Sequence, residues 1–462
     1  MIFTSIDFLV FLAIQLVFFL VVRPRQIHNA ILLVSGYIFY GYVHPWFCLL
    51  ILASTVVDFH CGKGIEDDPN NKKRYLYASL LTNLGLLGFF KYYNFFTENV
   101  NAVFTGLGLP DMMPVLSIFL PVGISFYTFQ TLSYTIDIYK GKDKACRNFL
   151  DFALYVSFFP QLVAGPIERA NRLLPQIQND RKFDFDKFSS GFALMSWGFL
   201  KKMVIADNVS IYVNKIYMLD EPSQLMLFVG TIGFAVQIFA DFSAYTDIAR
   251  GVSRMLGFEL IENFKAPYVA ISPSDFWRRW HISFSTWIRD YLYIPLGGSR
   301  VATQTAFFFV IVTSMGISGL WHGAAWNFVA WGVYHGVILF IYHRLGLGGK
   351  WKPTGKLQTF VSWFVMILLT LFGWALFRTT SMSWLLEVCF NSPLYESATD
   401  LVAIAYIALL IAFYCSFFLF KYLIDPIAKR NEYVGALAVG FAIAITIMLG
   451  VEGGGDFIYF QF

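Results

Sequence analysis

Apolar runs of about 20 residues recur along the chain, each long enough to cross a bilayer as a helix and each followed by a short polar stretch. They predict twelve spans, at 5–22, 27–43, 45–60, 75–93, 114–136, 189–207, 224–246, 303–320, 325–343, 357–377, 400–422 and 433–450. Residues 147–169 are too broken for a plain span. Their Phe-Phe-Pro-Gln core and Gly165-Pro166 predict a re-entrant element, tolerable only where protein or a water-filled cavity surrounds the backbone, with Glu168 and Arg169 at its exit. Ser272, Pro273 and Asp275 then form a helix-start signal. After it, Trp277, Trp280, His281, Phe284, Trp287, Ile288 and Tyr291 recur at helical spacing, while Arg278, Arg279, Ser285 and Arg289 take other faces. This predicts one basic, aromatic-rich helix lying in the membrane interface, ended by Pro295, Gly297 and Gly298. The expected fold class is therefore an all-α polytopic integral membrane protein, with re-entrant and interfacial helices beside its spans.

Composition agrees: 57% hydrophobic and 14% charged residues, 51 Phe and a mean hydropathy of +0.59. A net charge of +4, spread among loops, gives no sign of nucleic-acid binding. The five cysteines (Cys48, Cys61, Cys146, Cys389, Cys415) have neither metal nor disulfide spacing, and no metal is expected. No linker divides the chain, so residues 1–462 read as one domain. The first apolar run lacks a basic flank and a cleavage site and reads as a retained span. Basic loops at 23–25, 63–74, 140–147, 169–187, 250–300, 344–356 and 429–430 alternate consistently if they face the cytoplasm and both termini face outward. The pair Lys201-Lys202 falls inside a predicted span and needs snorkelling or a protein-lined cavity. No internal repeat appears, which weighs against a transporter.

Two spans carry polar stripes. Gln130, Ser133, Tyr134 and Asp137 share one helix face, and Gln237, Asp241 and Tyr245 share another; each stripe suits a polar tunnel or helix–helix hydrogen bonds. Asp241 is the strongest member, because an apolar run precedes it. His322 stands at the end of another apolar run, beside Gly323, where an ionisable side chain is costly and marks a candidate site. The bland alternative is an imidazole that satisfies a backbone carbonyl. His28, His44, His60 and His343 lie at span ends, and His335 would lie about 20 Å from His322 along one continuous helix. A buried histidine without a serine elbow suits transfer from an activated thioester to a hydroxyl, which needs chiefly a general base and a fixed geometry. Trp321, Trp326 and Asn327 would shape the site, Asn327 by orienting the imidazole or polarising the carbonyl. Trp280, Asp241, Tyr245 and Gln130 complete the candidate substrate-binding set.

The strings Phe159–Ile167, Asp241–Asp247, Asp275–Trp287, Tyr293–Arg300, Ser318–Asn327 and Phe457–Phe460 resemble the membrane-bound O-acyltransferases, in particular the bacterial branch that acetylates polysaccharides such as alginate. The resemblance implies a helical fold thinned at its centre, His322 as the catalytic residue and a second important histidine at His281. It further implies acetyl-CoA as cytoplasmic donor with no bound cofactor. The setting would be a bacterial inner membrane, the acceptor an extracytoplasmic polysaccharide reached through a periplasmic esterase-like partner. A peptidoglycan O-acetylation subunit, a carrier-dependent D-alanyl transferase for teichoic acid and a non-enzymatic acyl-donor channel or flippase are the alternatives.

Overall fold

The computed structural model describes residues 1–162, 165–349, 351–451 and 457–458, which form helices and turns without a strand. Val163 and Ala164 of the string at 159–167, and Tyr459 and Phe460 of the closing string, lie outside the described residues. In chain order the helices are α1 (Ile6–Val21), α2 (Arg25–Gly41), α3 (Phe47–Asp67), α4 (Lys72–Leu87), α5 (Tyr93–Gly106), α6 (Ile124–Tyr139), α7 (Phe149–Ser157), α8 (Phe159–Leu162), α9 (Ala170–Gln178) and α10 (Phe185–Phe199). They continue as α11 (Asp207–Tyr217), α12 (Gln224–Met255), α13 (Pro273–Trp277), α14 (Ile282–Ile288), α15 (Gln304–His322), α16 (Trp326–Arg344), α17 (Lys356–Arg378), α18 (Met382–Phe390), α19 (Ala398–Ala428) and α20 (Glu432–Leu449).

Among the described residues, six helices are long and apolar enough to cross a membrane: α3, α12, α15, α17, α19 and α20. The chain is an all-α, multi-pass membrane protein. Several of the other predicted spans fold as interrupted helices. The run at 75–93 becomes α4 followed by a π-helical turn, Gly88–Tyr92, and the run at 114–136 has no helix before Ile124. The reason is that an apolar window scores alike whether it faces lipid or the interior of the protein. Leu409, Leu437 and Ile447 on α19 and α20 stay exposed, as lipid-facing residues do.

The chain forms two compact units, Met1–Phe192 with Ala249–Ile261, and Ala193–Ile248 with Glu262–Phe462. In the first, α3, α4 and α6 meet around a buried polar knot. Asp58 accepts hydrogen bonds from Ser79 Oγ at 2.6 Å and Asn83 Nδ2 at 2.8 Å, and Thr131 Oγ1 donates to Asn83 Oδ1 at 3.2 Å. These bonds replace the water that a buried carboxylate would otherwise lose. The stripe on α6 is used in the same way: Gln130 Nε2 donates to the carbonyl of Tyr155 at 2.7 Å, and Tyr134 Oη accepts from the backbone N–H of Cys146 at 2.9 Å. The broken stretch α7–α8 is buried from Asp151 to Leu162, as irregular backbone at membrane depth requires. Gly36 of α2 lets the chains close there, since a Cβ on it would stand 2.1 Å from the carbonyl oxygen of Ser157. Glu168, past the break, accepts from the backbone N–H of Ile261 at 2.5 Å, and burial pushes its carboxyl up to about 7.

In the second unit, Lys201 and Lys202 sit in a π-helical segment, Leu200–Ala206, whose wide turn directs both inward. Lys201 Nζ lies 2.6 Å from Asp247 and donates to Ser243 Oγ at 2.9 Å. Lys202 Nζ lies 2.7 Å from Asp207 and 3.1 Å from Asp241. Of the two routes open to that pair, protein pairing is the one taken. The second carboxylate oxygen of Asp241 accepts from the backbone N–H of Ile458 at 2.7 Å, and the Phe457 ring rests on Tyr245 at 4.2 Å. The α12 stripe thus binds the closing segment into the core.

Candidate active site

The site is built on the hairpin of α15 and α16. Gly319 and Gly332 bring the two helices into backbone contact: a Cβ on Gly319 would stand 2.0 Å from the carbonyl oxygen of Phe328, and one on Gly332 2.2 Å from that of Met315. No real side chain tolerates such distances, so the glycines set the spacing that puts His322, the last residue of α15, into the core. We expect Gly319→Ala to force the helices apart, costing about 1–3 kcal/mol and lowering transfer activity. Thermal unfolding of the purified variant in detergent checks this, and a wild-type melting temperature would refute it.

Around His322 the chain assembles a box of rings. Trp321, Trp331, Phe284 and Phe377 have centroids 5.0, 5.1, 5.3 and 5.4 Å from the imidazole, and all are buried. His335, expected to lie far from His322, touches the same Trp331 at 4.8 Å, because residues 323–325 reverse the chain and fold α16 back along α15. Its ring meets Trp331 and Trp277 edge-on, and among the described residues its Nδ1 has no hydrogen-bond partner.

His281 reaches the box from another direction. The helix expected over 273–291 is not continuous: α13 and α14 are separate, Arg289–Tyr293 is a π-helical turn, and His281 between them has φ 42° and ψ 57°. A left-handed residue with a side chain costs roughly 1–3 kcal/mol, and the surroundings hold it in place. Asn263 is the holder, its carbonyl accepting from Ile282 N–H at 3.0 Å and its Oδ1 from Ser283 N–H at 3.1 Å. The kink turns the imidazole between Phe242 at 4.6 Å and Phe284, on which it stacks at 4.9 Å. His281 is fully buried, and burial pushes its imidazole down to about 3, so it stays neutral at physiological pH. The N-cap Ser272 and first-turn Pro273 sit as expected. The rings of Phe276, Trp280 and Phe284 are buried in protein rather than spread on an interface.

A cavity of about 510 Å³ adjoins the box, lined among others by Trp277, Arg278, Phe284, Arg289, Ser314 and Ser318. Hydroxyls lie along an otherwise apolar wall, and its two guanidiniums each have a carboxylate beside them, Arg278 with Asp275 at 3.4 Å and Arg289 with Asp290 at 2.8 Å.

The other expected residues are distributed as follows. Trp321 is in the box. Trp326 is 61% exposed, because it opens α16 on the outer side of the turn; Trp331 takes the place it was expected to fill. Asn327 does not face the imidazole. Its Nδ2 donates to the carbonyls of Thr379 at 2.9 Å and Phe377 at 3.3 Å, which fixes the segment whose Phe377 ring touches His322. Trp280 packs on Trp374 at 4.8 Å behind the box. Asp241 and Tyr245 belong to the lysine cluster, and Gln130 to the hydrogen bonds of the first unit. Phe284, Trp331 and Phe377 were missed as site residues, although the helical spacing of Phe284 relative to His281 was a usable signal.

Residues 142–370, which hold both histidines and the cavity, match the membrane-bound O-acyltransferase family. The chain is 39% identical over 362 residues to the probable alginate O-acetylase of Azotobacter vinelandii, a match covering 78% of this chain and 71% of that protein. The chain belongs to the membrane-bound O-acyltransferase family. It is likewise similar to the peptidoglycan O-acetyltransferase of Helicobacter pylori, 32% identical over 388 residues, covering 77% of this chain and 72% of that one. The teichoic acid D-alanyltransferase of Bacillus subtilis is 27% identical over 271 residues, 55% of this chain and 68% of its own length. As a membrane-bound O-acyltransferase the chain is an enzyme that transfers acyl groups, and the non-enzymatic channel reading falls away.

Proposed function

We propose that the chain, acting as one domain over residues 1–462, takes an acetyl group from acetyl-CoA on the cytoplasmic side of a bacterial inner membrane. It passes that group outward for O-acetylation of a polysaccharide of the alginate type. His322 serves as general base. Its imidazole takes the proton of a hydroxyl on the relay to the partner as that oxygen attacks the thioester carbonyl; the new C–O ester bond forms, the C–S bond breaks, the proton leaves with the thiolate as CoA, and the ester carries the acetyl group onward. His281, held neutral, and Trp321 keep the Phe284 side of the box in place. Arg278 and Arg289 would receive the anionic part of the donor. A periplasmic esterase-like partner would place the acetyl group on the polymer, because no outward segment of this chain is large enough for a domain of its own. The observation that supports this most is a buried imidazole separated by one aromatic ring from a cavity with two arginines.

Reconstitution in liposomes with acetyl-CoA inside and acceptor polymer outside tests the reading. Acetylated alginate should appear only when the partner is added. Acetylated polymer with this chain as the only protein would remove the partner from the scheme. Modification of peptidoglycan or teichoic acid instead of alginate would move the assignment to those acceptors. The orientation is checked with a single cysteine at Ser299, an exposed position, in a cysteine-free background. Labelling by an impermeant reagent in intact spheroplasts would put the cavity mouth, and the donor, on the opposite side.

A further inference from the structure

We infer that Phe284 sets the length of the acyl group this enzyme accepts; the inference rests on the reading of His322 and the cavity given above. Two observations meet on this residue. Phe284 lines the 510 Å³ cavity, and its ring also lies 5.3 Å from His322, 4.9 Å from His281 and 4.3 Å from Trp321. The cavity reaches the box along a second line at Ser318, one turn before His322 on α15. A thioester lying in the cavity and directed at the imidazole therefore has the Phe284 ring at its acyl end. On the sides away from the cavity the ring has packed neighbours. His281 is stacked on one side of it, Trp321 leans on it at 31°, and Trp331 and Phe377 fill the remaining sides of His322. A two-carbon acyl group asks least of this wall. Each further methylene must displace a buried ring packed against those neighbours.

The fixing of Phe284 comes from the kink at His281. Because His281 is left-handed, α14 starts afresh at Ile282, and Phe284 falls in its first turn with its ring directed at the box. Substitution by a smaller residue shortens the wall and leaves both histidines and the arginines in the chain, while removing the ring contacts to His281 and His322.

The test measures acceptor-dependent CoA release by the full-length chain in liposomes with the periplasmic partner and alginate present, with acetyl-, propionyl-, butyryl- and hexanoyl-CoA as donors. The readout is the ratio of kcat/KM for butyryl to that for acetyl, which does not depend on how much of a preparation is folded. One methylene in an apolar pocket discriminates by about 10- to 200-fold, so the wild type should favour acetyl by at least that lower bound. Phe284→Ala, and to a smaller extent Phe284→Leu, should raise the ratio about tenfold or more. Phe242→Leu is the control, since Phe242 packs on His281 at 4.6 Å but is no part of the cavity lining; its ratio should stay at the wild-type value. An unchanged ratio in both Phe284 variants overturns the inference, and so does an equal shift in Phe242→Leu, which would mean general loosening. A wild type that breaks no thioester, or a His322→Ala variant that does so at full rate, overturns the underlying reading instead.

Discussion

Replacing His322 with alanine is expected to remove acyl transfer and to leave a folded, membrane-inserted protein. Loss of a general base typically slows a reaction about 10²–10⁴-fold, and no other group in the box can take over the proton. His281 is separated from His322 by the Phe284 ring. His335 lies behind Trp331. The hairpin does not rely on the imidazole for its closure, since Gly319 and Gly332 set the approach of α15 and α16. His322→Gln, which keeps polarity and most of the volume, should be equally inactive while melting nearer the wild type. Thioester turnover by purified protein, read beside its size-exclusion profile and melting temperature, separates the two effects. Transfer by His322→Ala at near wild-type rate would end the assignment.

The largest loss of stability is expected at Lys202 rather than in the aromatic box. One ammonium group stands between Asp207 at 2.7 Å and Asp241 at 3.1 Å, all three buried. Removing one partner of a buried pair leaves an uncompensated charge and costs about 3–5 kcal/mol. Lys202→Ala leaves two carboxylates stranded. The variant should accumulate poorly and melt far below the wild type in fluorescence-detected size-exclusion. Adding Asp241→Asn should restore part of the loss, because Asn Oδ1 can still accept from Ile458 N–H while one stranded charge is gone. Lys201→Met should be milder, since Asp247 is partly open to solvent and Ser243 remains beside it. A Lys202→Ala protein with the melting temperature of the wild type would contradict this account.

Much of the architecture is legible in the sequence, and the parts that are not have definite physical reasons. Apolar runs announce helices at α3, α12, α15, α17, α19 and α20, and Ser272-Pro273 announces the start of α13. The stretch after it does not read correctly, because helical spacing presupposes that one face is buried and the rest exposed. Around His281 the buried positions Phe276, Trp280, Phe284, Trp287 and Ile288 keep that spacing on both sides of the left-handed residue, so the pattern persists across a break in the backbone. His322 was legible from its cost at membrane depth. The rings that surround it were not: nearness in sequence suggested Trp326, whereas the turn at 323–325 turns that residue outward and folds Trp331 in. Asp241 stood out as a buried charge, and Lys201-Lys202 as an awkward pair. That Lys202 and Asp241 answer each other follows from the π-helical turn at Leu200–Ala206, which periodicity at 3.6 residues does not foresee.

The hydrogen bond from Ile458 to Asp241 spans 217 residues of chain. At about 5–20 residues per second, a ribosome needs on the order of ten to forty seconds to make that interval. Throughout it, Asp241 has its lysine but lacks the donor for its second oxygen, and Tyr245 lacks the Phe457 ring that covers it. The second unit is therefore completed late in synthesis, well after α12 itself has emerged. Residues 457–458 close a core, and a chain cut short of them loses an interior contact rather than a tail.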